Sequence, residues 1–253
     1  MRRNTTGKTT AGTAGADGIR PARRSAAAPA ALAATALAAA LAGTLVAAPG
    51  AAAAPDPCTA GTGPYQRPME EFLKRPVDGV QSEADCVAIR DFQTQNDVDP
   101  ANGYASLGTY RVMVAVQARA NPNAAGKCPV KNYRVTCVDL DRQLLWVQKK
   151  KDVVFDPVPV RSGRDSQETR LGWHSIYWRS RDHVSTIYDN APMPYAQFFD
   201  GGQALHGRLD DLYDGGGSAG CINLRLADAK ALWDLLGIDD AIYIWGAKPG
   251  TSD

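Results

Sequence analysis

One histidine and one cysteine near the carboxyl end of the chain have side chains suited to nucleophilic chemistry. His206 and Cys221 are separated by a polar segment and a run of small residues, 215–220. A thiol with a pKa of about 8.5 is a weak nucleophile at neutral pH until a histidine or a dipole stabilises its thiolate. The pair predicts an enzyme in which Cys221 attacks a carbonyl carbon and His206 is the general base.

The small residues before Cys221 have two interpretations. In the functional one, they let a substrate carbonyl approach, and the backbone N–H groups of Gly220 and Cys221 form an oxyanion hole. In the structural one, Cys221 is a buried cysteine beside a strand and residues 215–217 form a loose turn. Composition alone does not decide between them.

The other two histidines of the chain are weaker candidates for the base. His174 lies in an aromatic segment, where a histidine that packs in the core is the better interpretation. His183 lies among charged residues, which predicts a solvated turn. A thiol activated by His206 is expected to react with alkylating reagents below neutral pH.

Three aspartates between the histidine and the cysteine raise the question of a metal: Asp210, Asp211 and Asp214. No histidine pair accompanies them at ligand spacing, so they predict a solvated acidic loop, which would attract the amine of an acceptor substrate. The glycine run that follows lacks the lysine and the spacing of a phosphate-binding loop. No metal or other cofactor is expected.

The chain has five cysteines, which suit an oxidising compartment. Four of them can pair and one is left over. Four cysteines allow three connectivities. Pairing of nearest neighbours, Cys58 with Cys86 and Cys128 with Cys137, is favoured because each pair brackets a short region. Cys221 then remains as a free thiol.

The first 54 residues are predicted to be a secretory signal peptide. A basic region precedes an uncharged alanine-rich run, residues 26–48, and a small-residue stretch follows it. A retained membrane anchor is the alternative, since the run is long enough to span a bilayer. Without residues 1–54 the chain keeps 22 basic and 26 acidic residues, a formal charge of −4. This charge argues against a nucleic-acid partner and the leader predicts a secreted, wall-associated protein.

Residues 58–118 are predicted to form a helical module. Apolar residues recur at helical spacing in three segments, around Met69, Ile89 and Val112. The Phe92-Gln93 pair and the following turn resemble the small three-helix peptidoglycan-binding module. Glycan binding is implied by that resemblance alone, and a structural spacer is the alternative. Residues 119–130 are the predicted linker.

The pattern changes to short strands beyond the linker. Strands are predicted over residues 133–140, 144–148, 153–160, 175–178, 184–188, 203–206 and 241–245, with a helix over 226–236. The expected fold is therefore α+β, with a helical module followed by a mainly β domain over residues 131–248.

The sequence around the histidine and the cysteine resembles the signature of YkuD-type L,D-transpeptidases. The matching residues are Leu205-His206-Gly207 and Ser218-Ala219-Gly220-Cys221-Ile222-Asn223. Upstream segments at 138–144, 159–163, 169–176 and 193–199 are also similar to that family. Two residues depart from it: Ala219 stands where many members have histidine, and Arg170 replaces a proline.

The resemblance implies β-sandwich-like mixed sheets with a helix after the catalytic cysteine. It makes Cys221 the nucleophile, His206 the base and Gly207 the residue whose carbonyl orients the imidazole. The residues that it places in the loop or the substrate site are Ser218, Asn223, Tyr195 and Met193.

The activity implied by the resemblance is formation of 3→3 cross-links between peptidoglycan stem peptides through a cysteine thioester. Carbapenems are then expected to acylate Cys221. The alternatives are an L,D-carboxypeptidase, another wall cysteine acyltransferase such as a sortase or a papain-like enzyme, and a non-catalytic peptidoglycan-binding protein. Sortases place a threonine before the cysteine, whereas Gly220 precedes it here, and papain-like enzymes place the cysteine before the histidine.

Overall fold

The computed structural model of the protein describes residues 57–250. The predicted signal peptide, residues 1–54, lies outside the described residues. Within residues 57–250 there is no helix with the length and apolar character that a bilayer crossing needs. This part of the chain contains three helices, then nine strands with a fourth helix before the last strand.

The first three helices form a small bundle. They are α1 (Gln66–Phe72), α2 (Glu83–Gln95) and α3 (Leu107–Ala118). Helix α2 begins at a capping box: the Ser82 hydroxyl accepts a hydrogen bond from the Asp85 amide, and the Asp85 carboxylate accepts one from the Ser82 amide. Met69, Ile89 and Phe92 fill the core of the bundle, as their spacing predicts.

The Phe92-Gln93 pair, on which the first resemblance rests, has a structural role. The Phe92 ring is buried in the bundle core. The Gln93 amide is buried and holds the next turn by hydrogen bonds. Its Oε1 accepts from Gly103 N at 2.7 Å, and its Nε2 donates to Tyr104 O and Thr109 Oγ1, both at 2.9 Å. Buried amides of this kind need such partners, so Gln93 fixes the path of the chain into α3.

The predicted disulfide pairing is confirmed. Cys58 is bonded to Cys86, and Cys128 is bonded to Cys137. The first bond ties the start of the described chain to α2, and the second ties the linker to the first strand. Cys221 is the free cysteine of the five.

Nine strands form two mixed sheets. They are β1 (Arg134–Asp139), β2 (Leu144–Lys149), β3 (Asp152–Pro159), β4 (Gly172–Ser175), β5 (Trp178–Val184), β6 (Pro192–Asp200), β7 (Gln203–Arg208), β8 (Ile222–Arg225) and β9 (Ala241–Trp245). The strand orders are β3-β2-β1-β9-β4 and β5-β6-β7-β8. The pairs β1–β9 and β7–β8 are parallel and the other pairs are antiparallel. The α+β fold class is confirmed.

The main core lies where the two sheets and helix α4 (Leu226–Leu235) meet. It combines Leu145 and Ile244 of one sheet with Leu205 and Leu224 of the other, and Leu232 of α4 packs against them. Helix α4 directly follows β8, as expected for a helix after the cysteine. This packing holds β7 and β8 side by side, with His206 opposite Asn223.

The strand prediction is wrong at 175–178, where β4 ends at Ser175 and β5 begins at Trp178, and at 184–188, since β5 ends at Val184. Strand β6 is not among the predicted strands, and its Pro192 and Pro194 are unusual in a strand. Strand β6 pairs with β7 only from Gln197 onward, so its first half is paired with β5 on one side and with no strand on the other. Both prolines lie in this half, where a missing backbone N–H is tolerated. His183 lies in β5 and not in a solvated turn.

The helical module packs against the β domain. Ala115 and Ala118 of α3 contact Leu144 of β2 in a small buried cluster. The Arg225 guanidinium donates to the Asn96 carbonyl at 3.2 Å. A Cβ placed on Gly108 would lie 3.4 Å from the Tyr213 ring, so this ring sits directly on α3.

Candidate active site

His206 and Cys221 line the same pocket, which has a volume of about 440 Å³. Strand β7 carries His206, and Cys221 immediately precedes the parallel strand β8. The other residues of the pocket wall that matter for the chemistry are Arg161, Met193, Arg208, Ser218 and Asn223. The fold therefore brings together the two residues that the sequence singled out.

The imidazole of His206 is held at both nitrogens. Nδ1 lies 2.9 Å from the carbonyl oxygen of Gly207, and Nε2 lies 2.7 Å from Nδ2 of Asn223. A carbonyl can only accept and an amide nitrogen can only donate, so Nδ1 carries the proton and Nε2 has the lone pair. The Gly207 carbonyl thus orients the ring as the resemblance implies.

Burial determines the charge state of His206. Burial, with a smaller contribution from the positive charges of Arg208 and Arg161, lowers the pKa of the imidazole from 6.5 to about 4, against the opposing hydrogen bond to Gly207. The residue as a whole is only 8% exposed. At neutral pH His206 is therefore an uncharged base.

The surroundings of Cys221 favour the protonated form of its thiol. Burial raises its pKa, and a backbone hydrogen bond from Ala204 only partly opposes this. Sγ donates to the Gly202 carbonyl at 3.8 Å, a long contact. The raised pKa favours a thiol beside a neutral imidazole, whereas rapid alkylation below neutral pH requires a thiolate. The expected reactivity below neutral pH stays a prediction.

His206 and Cys221 are neighbours in the pocket but are not hydrogen-bonded to each other in the described part of the chain. The lone pair of His206 Nε2 is occupied by the amide of Asn223. A substrate that displaces this amide would free Nε2 for the thiol proton. Catalytic hydrogen bonds are often absent from resting structures and form in the substrate complex.

The hydroxyl of Ser218 supports the loop that carries the cysteine. It donates to the Cys221 carbonyl at 2.6 Å and accepts from the Gly220 amide at 3.0 Å. In this structure Ser218 accepts the Gly220 N–H, so this group would have to leave that hydroxyl to act as the predicted oxyanion donor. The Cys221 N–H remains a candidate.

Gly220 is required by its conformation and its surroundings. Its φ is 101°, in the region that favours glycine, and a Cβ there would overlap the side-chain amide of Gln203. Gln203 is itself fixed, since it accepts from Arg170 N and donates to Glu168 O, both at 3.0 Å. The glycine before the cysteine thus lets two chain segments pass close together.

One of the two predicted substrate contacts on β6 lies at the pocket. Met193 lines it and is 7% exposed. The prediction for Tyr195 is corrected: its ring packs against the main core and lies 6.2 Å from the Trp233 ring on α4. Its φ is 59°, in the left-handed region, and Tyr195 is not among the residues that line the pocket.

Sequence reasoning missed Arg161, a buried residue of the pocket wall. It follows β3, and its guanidinium donates to the side-chain oxygen of Asn223. An arginine after an apolar strand gives no sequence signal of burial, since arginine is mostly exposed. Only its partner on a distant strand reveals its place in the site.

The remaining histidines do not reach the thiol. The His174 ring packs edge-on against Phe199, with Nδ1 3.5 Å from the Asp200 carboxylate. The His183 ring packs against Trp178 and Phe198, at 5.2 and 5.0 Å between centroids. His174 thus has the packing role that its sequence context predicts.

The acidic loop between β7 and β8 is held by local contacts. Asp210 pairs with Arg208, and Asp211 accepts the Tyr213 amide at 2.9 Å. Within residues 57–250 no group of three or more histidine, cysteine, aspartate or glutamate side chains is arranged to hold a metal ion. The loop forms part of the pocket wall through Asp210.

Comparisons with known proteins decide the family. The family model of the YkuD L,D-transpeptidase catalytic domain matches residues 133–244, which include both His206 and Cys221. The crystal structure of an L,D-transpeptidase from Stackebrandtia nassauensis is 33% identical, covers 76% of this chain and 96% of its own, and has a TM-score of 0.61. The chain belongs to the L,D-transpeptidase family.

Other solved L,D-transpeptidases are more distant. One from Xylanimonas cellulosilytica is 21% identical over 75% of this chain and 97% of its own, with a TM-score of 0.42. One from Mycobacterium tuberculosis is 18% identical over 45% of this chain and 57% of its own, with a TM-score of 0.41. No curated protein sequence matches the chain. The family assignment thus rests on the family model and the Stackebrandtia structure.

Proposed function

We propose that this L,D-transpeptidase joins peptidoglycan stem peptides by 3→3 cross-links through a thioester on Cys221. One observation supports the proposal: the free thiol of the chain shares a pocket with a neutral imidazole whose Nε2 lone pair can accept the thiol proton once a substrate displaces the Asn223 amide. A nucleophile with an adjacent base is the arrangement that covalent acyl transfer needs.

In the first step, Sγ of Cys221 attacks the carbonyl that links the diamino acid at stem position 3 to D-alanine at position 4. His206 Nε2 takes the thiol proton as the C–S bond forms. The C–N bond then breaks, and the proton passes from Nε2 to the departing amine of D-alanine. Because neither side chain is charged at rest, proton transfer accompanies the attack.

In the second step, the side-chain amine of a neighbouring stem attacks the thioester. His206 takes a proton from the amine, the C–S bond breaks, and the thiolate of Cys221 is reprotonated as the new amide forms. Water as the acceptor gives the L,D-carboxypeptidase outcome with the same residues. The negative charge on the tetrahedral oxygen is placed near the Cys221 N–H, which is the proposed oxyanion donor.

The helical module and the cell location are further parts of the proposal. The two disulfides fit an oxidising, extracytoplasmic compartment. The leader pattern of residues 1–54 supports secretion. Binding of the helical module to the glycan is supported only by its resemblance to peptidoglycan-binding modules.

The experiment is mass spectrometry of purified disaccharide tetrapeptides incubated with the protein. We expect cross-linked dimers that have lost one D-alanine, and none with Cys221→Ala or His206→Gln. Incubation with a carbapenem should add one drug mass to the wild type and nothing to Cys221→Ala. Cross-links formed by Cys221→Ala would refute the assignment, and release of D-alanine without dimers would identify a carboxypeptidase.

A further inference from the structure

Arg161 is a buried charge that the reaction described above does not use. The residue is 5% exposed and lies where the chain leaves β3 for the catalytic pocket. Its backbone exchanges two hydrogen bonds with Asn223, at 3.0 and 2.9 Å. A buried guanidinium is costly unless its donors are satisfied, so its partners indicate what it does.

The Arg161 guanidinium donates hydrogen bonds to the side-chain oxygen of Asn223. Nε and Nη2 both donate to Oδ1 of Asn223, at 3.2 and 2.8 Å, and Nη1 donates to the Asp214 carbonyl. A guanidinium has donors only, so Oδ1 must face it. The amide nitrogen of Asn223 is then directed to Nε2 of His206, 2.7 Å away.

We propose that Arg161 is a positioning residue that acts through Asn223 to hold His206 in the tautomer with its proton on Nδ1. If the amide turned over, its oxygen would face Nε2 and would favour a proton there. His206 in that tautomer cannot accept a proton from the thiol of Cys221. The hydrogen bond from Nδ1 to Gly207 favours the same tautomer from the other side of the ring.

Charge and geometry at Arg161 can be separated by substitution. The charged and titratable groups that act on His206 are Arg161, Arg208 and His183. Arg161→Lys keeps a positive charge but lacks the planar fork that places two N–H groups on one oxygen. Arg161→Met removes both the charge and the fork.

The direct readout is the ¹⁵N spectrum of the histidine rings in the full chain at pH 7. In the wild type we expect widely separated Nδ1 and Nε2 shifts for His206, as for a single neutral tautomer. In Arg161→Lys and Arg161→Met we expect the two shifts to move toward each other, with His174 and His183 unchanged.

Arg134 provides the matched control. Two of its guanidinium nitrogens donate to the Asp240 carboxylate, and the third donates to the backbone carbonyl of Leu235. It is remote from the pocket, so Arg134→Lys and Arg134→Met should leave the His206 shifts as in the wild type. Any effect common to both arginines then reflects stability and not positioning.

A second arm tests the route through Asn223. Arg161→Lys should lower the rate of Cys221 acylation by a carbapenem at pH 7 by about tenfold, since general-base assistance contributes about 10²–10⁴-fold and is only partly lost. In an Asn223→Ala background the same substitution should have no further effect, because the link is already broken. Additive losses would show that Arg161 does not act through Asn223 and would overturn the proposal.

The proposal rests on His206 as the base of the proposed function, but the two can fail separately. If folded Arg161→Lys keeps the wild-type His206 shifts, the positioning role is wrong whatever the activity. If the shifts move as expected but the wild type neither cross-links nor releases D-alanine, only the proposed function is wrong. Should Arg161→Met fail to fold, Arg161→Lys carries the test.

Discussion

At the scale of single residues, the reactive pair is defined by burial more than by charge. Burial lowers the pKa of His206 and raises that of Cys221, so each shift favours the neutral form. The sulfur of Cys221 therefore keeps its proton, and the Nε2 lone pair of His206 accepts a hydrogen bond from the Asn223 amide. A mechanism with proton transfer during attack follows from these directions.

The lowered pKa of His206 links stability to pH. The unfolded chain binds a proton at His206 below about pH 6.5, whereas the folded chain resists it down to a pKa of about 4. The contribution of the neutral His206 to the free energy of unfolding is therefore fully present above pH 6.5. It is lost as the pH drops toward 4, which lowers the free energy of unfolding by up to about 3 kcal/mol. Urea unfolding at several pH values measures this slope.

His206→Gln should lose that part of the slope, while Cys221→Ala should keep it. The glutamine does not titrate, and the Cys221 thiol, with its pKa raised, stays protonated across the acidic range. An identical slope in His206→Gln and the wild type would contradict the buried, neutral histidine.

The raised pKa of Cys221 predicts how alkylation depends on pH. In the absence of substrate, the rate with iodoacetamide should increase steadily from pH 6 to pH 9, because the thiolate fraction rises over this range. Mass spectrometry of the modified protein gives the rate, with Cys221→Ala as the blank. A rate that is already maximal at pH 6 would show a thiolate–imidazolium pair instead.

At the scale of elements, the position of Cys221 depends on backbone contacts between two loops. Residues 161–164 bond to the segment that carries Ser218: Ser218 N donates to Ser162 O, and Arg164 N donates to Ser218 O. Gly220 lets that segment pass Gln203. The nucleophile is thus placed by close backbone packing on both sides.

Gly220→Ala should therefore be costly. A methyl group at φ 101° is strained and would also overlap Gln203, so we expect a loss of about 2–4 kcal/mol in unfolding free energy. Gly216→Ala is the matched control: its φ is 72° and nothing lies within 4 Å of the new methyl group, so only about 1 kcal/mol is expected. Equal losses in denaturant titrations would contradict the packing argument.

The elements show how far the sequence alone reaches. Periodicity and capping residues predict α1 to α4 because those signals are local, as with Ser82 and Asp85 of the capping box. Strand β6 escapes prediction, because its prolines are tolerated only where a sheet neighbour is missing. The places of Tyr195 and Gly220 also depend on tertiary structure, through a positive φ at Tyr195 and the Ser218 hydroxyl that accepts the Gly220 amide.

At the scale of the whole molecule, the helical module and the β domain share an interface. The Tyr213 ring lies against α3 at Gly108, and burial raises the pKa of its hydroxyl. Arg225, the last residue of β8, donates hydrogen bonds to both the Asp228 carboxylate and the Asn96 carbonyl. These contacts join the module to the strand pair that holds the site.

Tyr213→Ala should weaken this connection. Removing a large ring between packed elements leaves a cavity and costs about 3–5 kcal/mol. We expect a single calorimetric transition in the wild type, and a lower midpoint with separation of the module and the β domain in the variant. Tyr213→Phe is the control, and it should retain one transition because the ring is kept. Unchanged melting of Tyr213→Ala would show that the interface contributes little.

The loop that carries Tyr213 has a mechanical consequence. Leu209 and Asp210 line the catalytic pocket, and the same two residues also line the cleft between the helical module and the β domain. Because one short segment belongs to both walls, a displacement of the helical module against this loop would also shift part of the wall of the catalytic pocket.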